Sequence, residues 1–176
     1  NDYTVPSQLF EFNKRELKSG HRGLIVSIGN HLQVFEEHVK GVNGKKEVIR
    51  IDLGALSFSP HTEEDHEFSL FIRKDTKRTV KFREFINKGG FILVYLYFMQ
   101  KAHGQIPKEP TLKELVALIQ QRNPIALKSV EYFIYILAHF LYSGLILLML
   151  DKELIMTGNF LNKVIKAYAD DEKIRA

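Results

Sequence analysis

The sequence predicts an α+β protein. A mainly antiparallel β meander over residues 1–82 packs on one shared core with a mainly helical portion over 83–176, which ends in a hairpin and a last helix. Three observations predict it. Short, β-branched runs bounded by glycine fill the first half, with an Asn43-Gly44 turn signal between two of them. N-cap signatures open helices in the second half. The 176 residues are 45% hydrophobic and 26% charged, which supplies both a large core and an ordinary polar surface.

Residues 7–17 read equally as helix or strand. Leu24-Ile25-Val26-Ser27-Ile28, between Gly23 and Gly29, is a strand, and residues 31–39 form a second. After the Asn43-Gly44 turn, residues 47–53 alternate charged and apolar side chains as a half-buried strand does. Residues 55–59 continue extended, and Pro60 opens an acidic loop. Residues 68–72 then form a strand, 73–78 a basic turn and 79–82 the returning strand, so that 68–82 is a hairpin with a basic tip.

Nine apolar residues, 91–99, follow Gly89-Gly90 and run to a C-capping Gly104. Thr111-Leu112-Lys113-Glu114 is a capping box, followed by Leu112, Leu115, Val116, Leu118 and Ile119 at helical spacing. Asn123-Pro124 opens the next helix, which runs towards Tyr142 and stops near Ser143-Gly144. Residues 145–150 and 154–156 flank Asp151-Lys152-Glu153 as a hairpin, and Asn159 caps a last helix with Phe160, Leu161, Val164, Ile165 and Tyr168 on its apolar side. The order of elements over 91–157 resembles a winged helix. Its third helix is too apolar to read bases, so the resemblance implies packing against protein.

Residues 132–150 carry no formal charge, long enough for a membrane span. His139, Ser143 and Gly144 interrupt the run, and the expectation is a buried core helix followed by a buried strand, with no transmembrane span. The absence of cysteine excludes a disulfide framework, a thiol nucleophile and zinc sites built on cysteine, and fits a reducing compartment. No signal peptide is visible, so an intracellular protein, cytoplasmic or nuclear, is expected.

The net charge of +4 is concentrated. Between residues 69 and 88 stand Arg73, Lys74, Lys77, Arg78, Lys81, Arg83 and Lys88 against Asp75 and Glu84, seven basic residues against two acidic ones for a net +5, with Phe71, Phe82 and Phe85 among them. Such a tip grips phosphates by charge while aromatic rings stack on bases. The candidate site for nucleic acid or another anionic surface is therefore Arg73, Lys74, Lys77, Arg78, Lys81 and Arg83. The loop His61-Thr62-Glu63-Glu64-Asp65-His66-Glu67 has the donors of a divalent-metal site. Neighbours on one loop rarely converge without a ligand from elsewhere, so it reads as a solvated acidic turn. Glu47 and Asp52 resemble the acids of a metal nuclease only at background level, and His139 reads as a hydrogen-bonded core histidine. No P-loop, GxGxxG, GxSxG or HExxH motif occurs.

These observations predict a non-enzymatic nucleic-acid-binding protein of low sequence specificity, with no cofactor, no resident metal and no catalytic residues. The alternative is a structural or assembly protein that self-associates through its apolar C-terminal half and docks on an anionic surface. A homo-oligomer and a peripheral anionic membrane are further partners that the charge and apolar content permit.

Overall fold

Leu24, Ile25, Val26 and Ile28 are all buried. Alternate side chains of a strand face opposite sides, so a run buried at nearly every position needs cover on both faces and neighbours at both edges. The computed structural model, which describes residues 22–40, 45–73, 79–148 and 153–169, provides them. This strand, β1 (Arg22–Ile28), lies inside a four-stranded sheet with β2 (Leu32–Lys40), β3 (Lys45–Ile51) and β4 (Glu153–Thr157). The order is β3-β2-β1-β4. The first three strands are antiparallel neighbours, with Ile25 opposite Phe35 and Phe35 opposite Arg50. β4 joins parallel to β1, with Ile25 opposite Ile155. The expected Asn43-Gly44 turn lies outside the described residues, but the strands flanking it pair in register, Lys40 opposite Lys45.

Among the described residues five α-helices accompany the sheet: α1 (Glu63–Arg73), α2 (Lys88–His103), α3 (Leu112–Gln120), α4 (Pro124–Leu148) and α5 (Asn159–Ala169). Their ends follow local chemistry. The Asn87 side chain accepts from the Gly90 N–H at 2.9 Å, and α2 ends on Gly104 at φ 70°. The Thr111 hydroxyl accepts from the Glu114 N–H at 3.3 Å, and the Glu114 carboxylate accepts in return from the Thr111 N–H at 2.6 Å. The Asn123 side chain accepts from the Ile125 and Ala126 N–H groups. The cap of α5 is Gly158 rather than the expected Asn159: its carbonyl accepts from the Asn162 N–H at 3.0 Å. At φ 141°, with the Ile28 carbonyl oxygen 2.0 Å from where a Cβ would stand, this position takes only glycine.

α2 is the central helix. Phe91, Ile92, Val94, Tyr95, Leu96, Tyr97 and Phe98 are all buried, as a helix apolar all round requires. It packs most extensively on α4, whose Val130, Phe133, Ile136, Leu137 and Phe140 join the same core. The stretch Pro124–Gly144 is long and apolar enough to cross a membrane by length and composition alone, but 44% of it is buried inside the protein. α1 is tied to both helices by polar contacts. Tyr97 donates to Glu64 and to Glu67, and Lys101 Nζ reaches the same two carboxylates at 2.9 and 2.6 Å. The Asp65 carboxylate, fully buried, accepts from the Tyr132 hydroxyl at 2.8 Å and the Tyr135 hydroxyl at 3.1 Å.

Three expected elements are corrected. Residues 68–72 are helix, not strand: they belong to α1, where Phe68, Phe71 and Ile72 turn inward at spacings of three and four while Leu70 faces solvent. The returning strand at 79–82 shrinks to a single bridge between Ser57 and Lys81, followed by a 3-10 turn at Phe82–Glu84. The hairpin over 145–156 does not form, because α4 continues through Ser143-Gly144 to Leu148 and β4 pairs with β1. The wing of the winged-helix resemblance is therefore missing.

Candidate functional site

Among the described residues, two clefts lined by polar side chains stand out. The first opens where β1 turns into β2 and β3 ends. It has a volume of about 430 Å³ and is lined by His31, Leu32, Arg50, Asp52 and Arg83. Its construction is local. β3 delivers Arg50 and then stops at Asp52, where a 3-10 turn, Leu53–Ala55, begins. The Ser57–Lys81 bridge, with Phe58 N–H donating to Val80 O at 2.8 Å and Phe82 N–H to Leu56 O at 3.1 Å, lays this turn beside the turn carrying Arg83. Gly54 allows the approach: a Cβ there would sit 3.0 Å from Arg83 Cβ and 3.3 Å from Leu32 Cδ2. Arg83 Nη1 then donates to Asp52 Oδ2 at 3.2 Å, both side chains remaining half or more exposed. From below, Asn87 donates to the Arg83 carbonyl at 2.9 Å, and Lys88 N–H donates to the Gly29 carbonyl of the β1–β2 turn at 2.8 Å.

The arrangement holds one carboxylate, two guanidinium groups and one imidazole around an open space. A carboxylate accepts hydrogen bonds from vicinal hydroxyls, and a guanidinium donates a fixed fork to phosphate or to hydroxyl oxygens. Such a set can hydrogen-bond hydroxyl or phosphoryl oxygens, and the volume is within the range of small-molecule pockets.

Of the six expected anion-binding residues, three are described, and of these Arg83 alone lines one of the two clefts. Arg73 ends α1, and Lys81 forms the bridge to Ser57, where its N–H donates to Glu84 Oε1 at 2.9 Å. Lys74, Lys77 and Arg78 lie outside the described residues. The basic hairpin is not formed, because its first strand is α1. Sequence reasoning missed His31 and Arg50 as site residues. Asp52 drew notice only as a weak nuclease acid within a strand expected over 47–53; in the structure β3 ends at Ile51 and Asp52 stands just beyond it.

The second cleft lies between the start of α1 and the outer side of α4. It measures about 690 Å³ and is lined by His61, Tyr135, Ala138, His139, Tyr142 and Ser143. His61 and His139 meet there, Nε2 to Nε2, at 2.9 Å. The loop bearing His61 is held by Asp65, whose Oδ2 accepts from the His61 and Thr62 N–H groups at 3.0 Å each. Burial, followed by the neighbouring His61, holds His139 below the ordinary histidine range, against the opposing pull of Asp65. His139 is thus neither wholly core nor without a partner.

No family model and no curated protein matches the chain. Solved structures do. The chain is similar to the glucokinase from Balamuthia mandrillaris in complex with glucose, with a TM-score of 0.70 and 14% identity over 92% of this chain and 48% of that one. It is similar to the glucokinase from an Antarctic psychrotroph at a TM-score of 0.66 and 12% identity, over 92% and 49%. The Leishmania braziliensis glucokinase gives a TM-score of 0.66 and 14% identity, over 88% and 44%. At these identities the likeness concerns the fold, and the chain spans about half the length of the glucokinases it matches.

This finding overturns the expected nucleic-acid-binding protein, its assembly-protein alternative and the non-enzymatic character common to both. The fold is shared with about half of each of these glucokinase chains. The physical source of the error is that a count of positive charges along the chain says nothing of what the charges face. Arg83, counted as a phosphate grip on a hairpin, lines a cleft against Asp52.

Proposed function

We propose that the chain forms part of a sugar-kinase-type protein, in which the cleft of His31, Arg50, Asp52 and Arg83 receives a hexose or its phosphate ester. The observation that supports this reading is the cleft's polar set, one carboxylate against two guanidinium groups, in a fold shared with glucokinases. In such a reaction a sugar hydroxyl oxygen attacks the terminal phosphorus of a nucleoside triphosphate. The new O–P bond forms as the bond to the leaving diphosphate breaks, and the hydroxyl proton passes to a base. Positioning and charge neutralisation supply most of the catalysis. In this cleft Asp52 accepts hydrogen bonds from sugar hydroxyls, while Arg50 and Arg83 donate to hydroxyl or phosphoryl oxygens. An intracellular location belongs to the same reading, since nucleotide phosphoryl donors are held inside cells.

Calorimetric titration with glucose, other hexoses and hexose phosphates tests the site, and a coupled assay for diphosphate formation tests turnover. A saturable complex is expected. Asp52→Ala and Arg83→Ala are each expected to weaken it by about tenfold to a hundredfold, the worth of one hydrogen bond to a charged group. Absence of binding to every hexose and hexose phosphate would remove the reading. Binding without turnover would keep the site and remove the catalytic part.

A further inference from the structure

We propose that His61 and His139 form a two-nitrogen chelate for a divalent late-transition-metal ion, at the mouth of the cleft between α1 and α4 and apart from the sugar cleft. Imidazole is a common ligand for such ions, and the two side chains come from separate elements, so the site is made by the fold. Of the segment 61–67 only His61 takes part, and α4 supplies the second ligand.

The geometry supports coordination over a simple hydrogen bond. Each Nε2 sits more than an ångström from its ring centre, so a linear N–H···N contact of this length would hold the ring centroids about 5 Å apart. The observed separation is 4.4 Å, with the ring planes inclined at 46°. The rings are canted, and the two nitrogens point off the line that joins them. With each nitrogen about 2.0–2.1 Å from an ion, their 2.9 Å separation gives an N–metal–N angle of about 90°, the cis angle of octahedral or tetragonal coordination. Nickel and copper prefer that geometry, and zinc reaches its tetrahedral angle with a small opening of the pair.

A second observation concerns the far side of His139. Its Nδ1 is buried and has no hydrogen-bond partner among the described residues, and the centroids of the Phe58 and Phe82 rings lie 6.0 and 5.7 Å from the centroid of the His139 ring. A buried ring nitrogen without a partner needs a reason. Coordination through Nε2 supplies one, because it fixes the tautomer with the proton on Nδ1. The position of His61 is also prepared: its backbone N–H is tied to Asp65, and Tyr135, hydrogen-bonded to the same carboxylate oxygen, lines the cleft. Among the described residues no group of three histidine, cysteine, aspartate or glutamate side chains could hold a metal, so water or an added ligand fills the remaining positions.

The test is calorimetric titration of Ni²⁺, and separately of Zn²⁺, into the tag-free chain near neutral pH, with thermal melts alongside. One saturable site is expected in the wild type and in His66→Ala, whose histidine lies on the same segment outside the pair. Affinity is expected to fall at least about tenfold in His61→Ala and in His139→Asn, since even outer-shell partners are worth that much. The ion raises Tm in the wild type and not in His61→Ala. His61 is exposed at the start of α1, so His61→Ala keeps the metal-free fold, which an unchanged melt without metal verifies, and it decides the matter even where His139→Asn folds poorly. No saturable site in the wild type, or a His61→Ala protein that titrates like the wild type, overturns the proposal.

Discussion

Replacing Asp65 with alanine is expected to cost about 3–5 kcal/mol, the loss that follows when one partner of a buried charged network is removed, and to lower Tm by about 10–15 °C. Four donors converge on this carboxylate: the Tyr132 hydroxyl on Oδ1, and the Tyr135 hydroxyl with the His61 and Thr62 N–H groups on Oδ2. The Asp65 N–H donates to the Thr62 hydroxyl at 3.1 Å, closing a capping box at the head of α1. Truncation leaves the Tyr132 hydroxyl buried without its acceptor and uncaps the helix in the same step. Asp65→Asn keeps the shape and loses the charge, and should fall between the two. Thermal and urea melts of the three proteins measure the series.

The same carboxylate gives a pH dependence of known sign. Burial pushes the Asp65 carboxyl up, but the hydrogen bonds from Tyr132 and from the His61 and Thr62 backbone outweigh it and hold the group below the ordinary Asp value. A folded-state value below the unfolded one contributes stability that is present above about pH 3.9 and lost as pH falls through the folded value. Acid melts of the wild type should therefore steepen below pH 4 relative to those of Asp65→Asn.

Gly90→Ala is expected to be more damaging, costing more than about 4 kcal/mol and leaving little folded protein. A Cβ at this position would stand 1.7 Å from the Phe85 carbonyl oxygen and 2.2 Å from its carbon. Both are backbone atoms, so no rotamer relieves the clash. Phe85 cannot yield, because its ring is fully buried with Phe58, Phe68 and Phe82 at centroid distances of 5.1, 5.8 and 5.8 Å. Gly90 cannot yield either without breaking the cap from Asn87. The neighbouring Gly89 makes the control. Its added Cβ would meet only the Asn87 side-chain oxygen at 3.2 Å, so Gly89→Ala should be neutral or stabilising by up to about 1 kcal/mol through helix propensity. Soluble yield and melts of the pair separate a steric effect at residue 90 from a general effect of alanine in this turn.

The parts of the fold that were legible are those written in neighbouring residues. The strand at 24–28, the capping box at Thr111, the Asn123-Pro124 start and the Gly104 stop each rest on side chains within a turn of the backbone they satisfy. Phe68 to Ile72 misled because a short apolar run fits either period. The decisive signal stood upstream, in Thr62 and Asp65, a capping pair that the acidic loop disguised. Gly144 misled for a different reason. It is a glycine inside a helix, kept where a Cβ would approach Leu53 Cδ1 to 3.0 Å, and that neighbour is remote in sequence. The cleft was least legible of all. His31, Arg50, Asp52 and Arg83 come from two turns, a strand and a strand's end, and only the Ser57–Lys81 bridge and the contact across Gly54 bring them together.

The parallel pairing of β1 with β4 also bears on how the chain reaches this fold. Gly23 and its partner Glu153 are separated by about 130 positions, a loop whose closure entropy must be met before the pair returns any energy. β1, β2 and β3 need only local turns and can associate early. At ordinary rates of synthesis, Glu153 follows Gly23 out of the ribosome by on the order of ten seconds. Through that interval β1, apolar on both faces, presents one unpaired edge. A strand whose Leu24, Ile25, Val26 and Ile28 are all buried in the finished sheet is thus open to a wrong partner while the protein is being made.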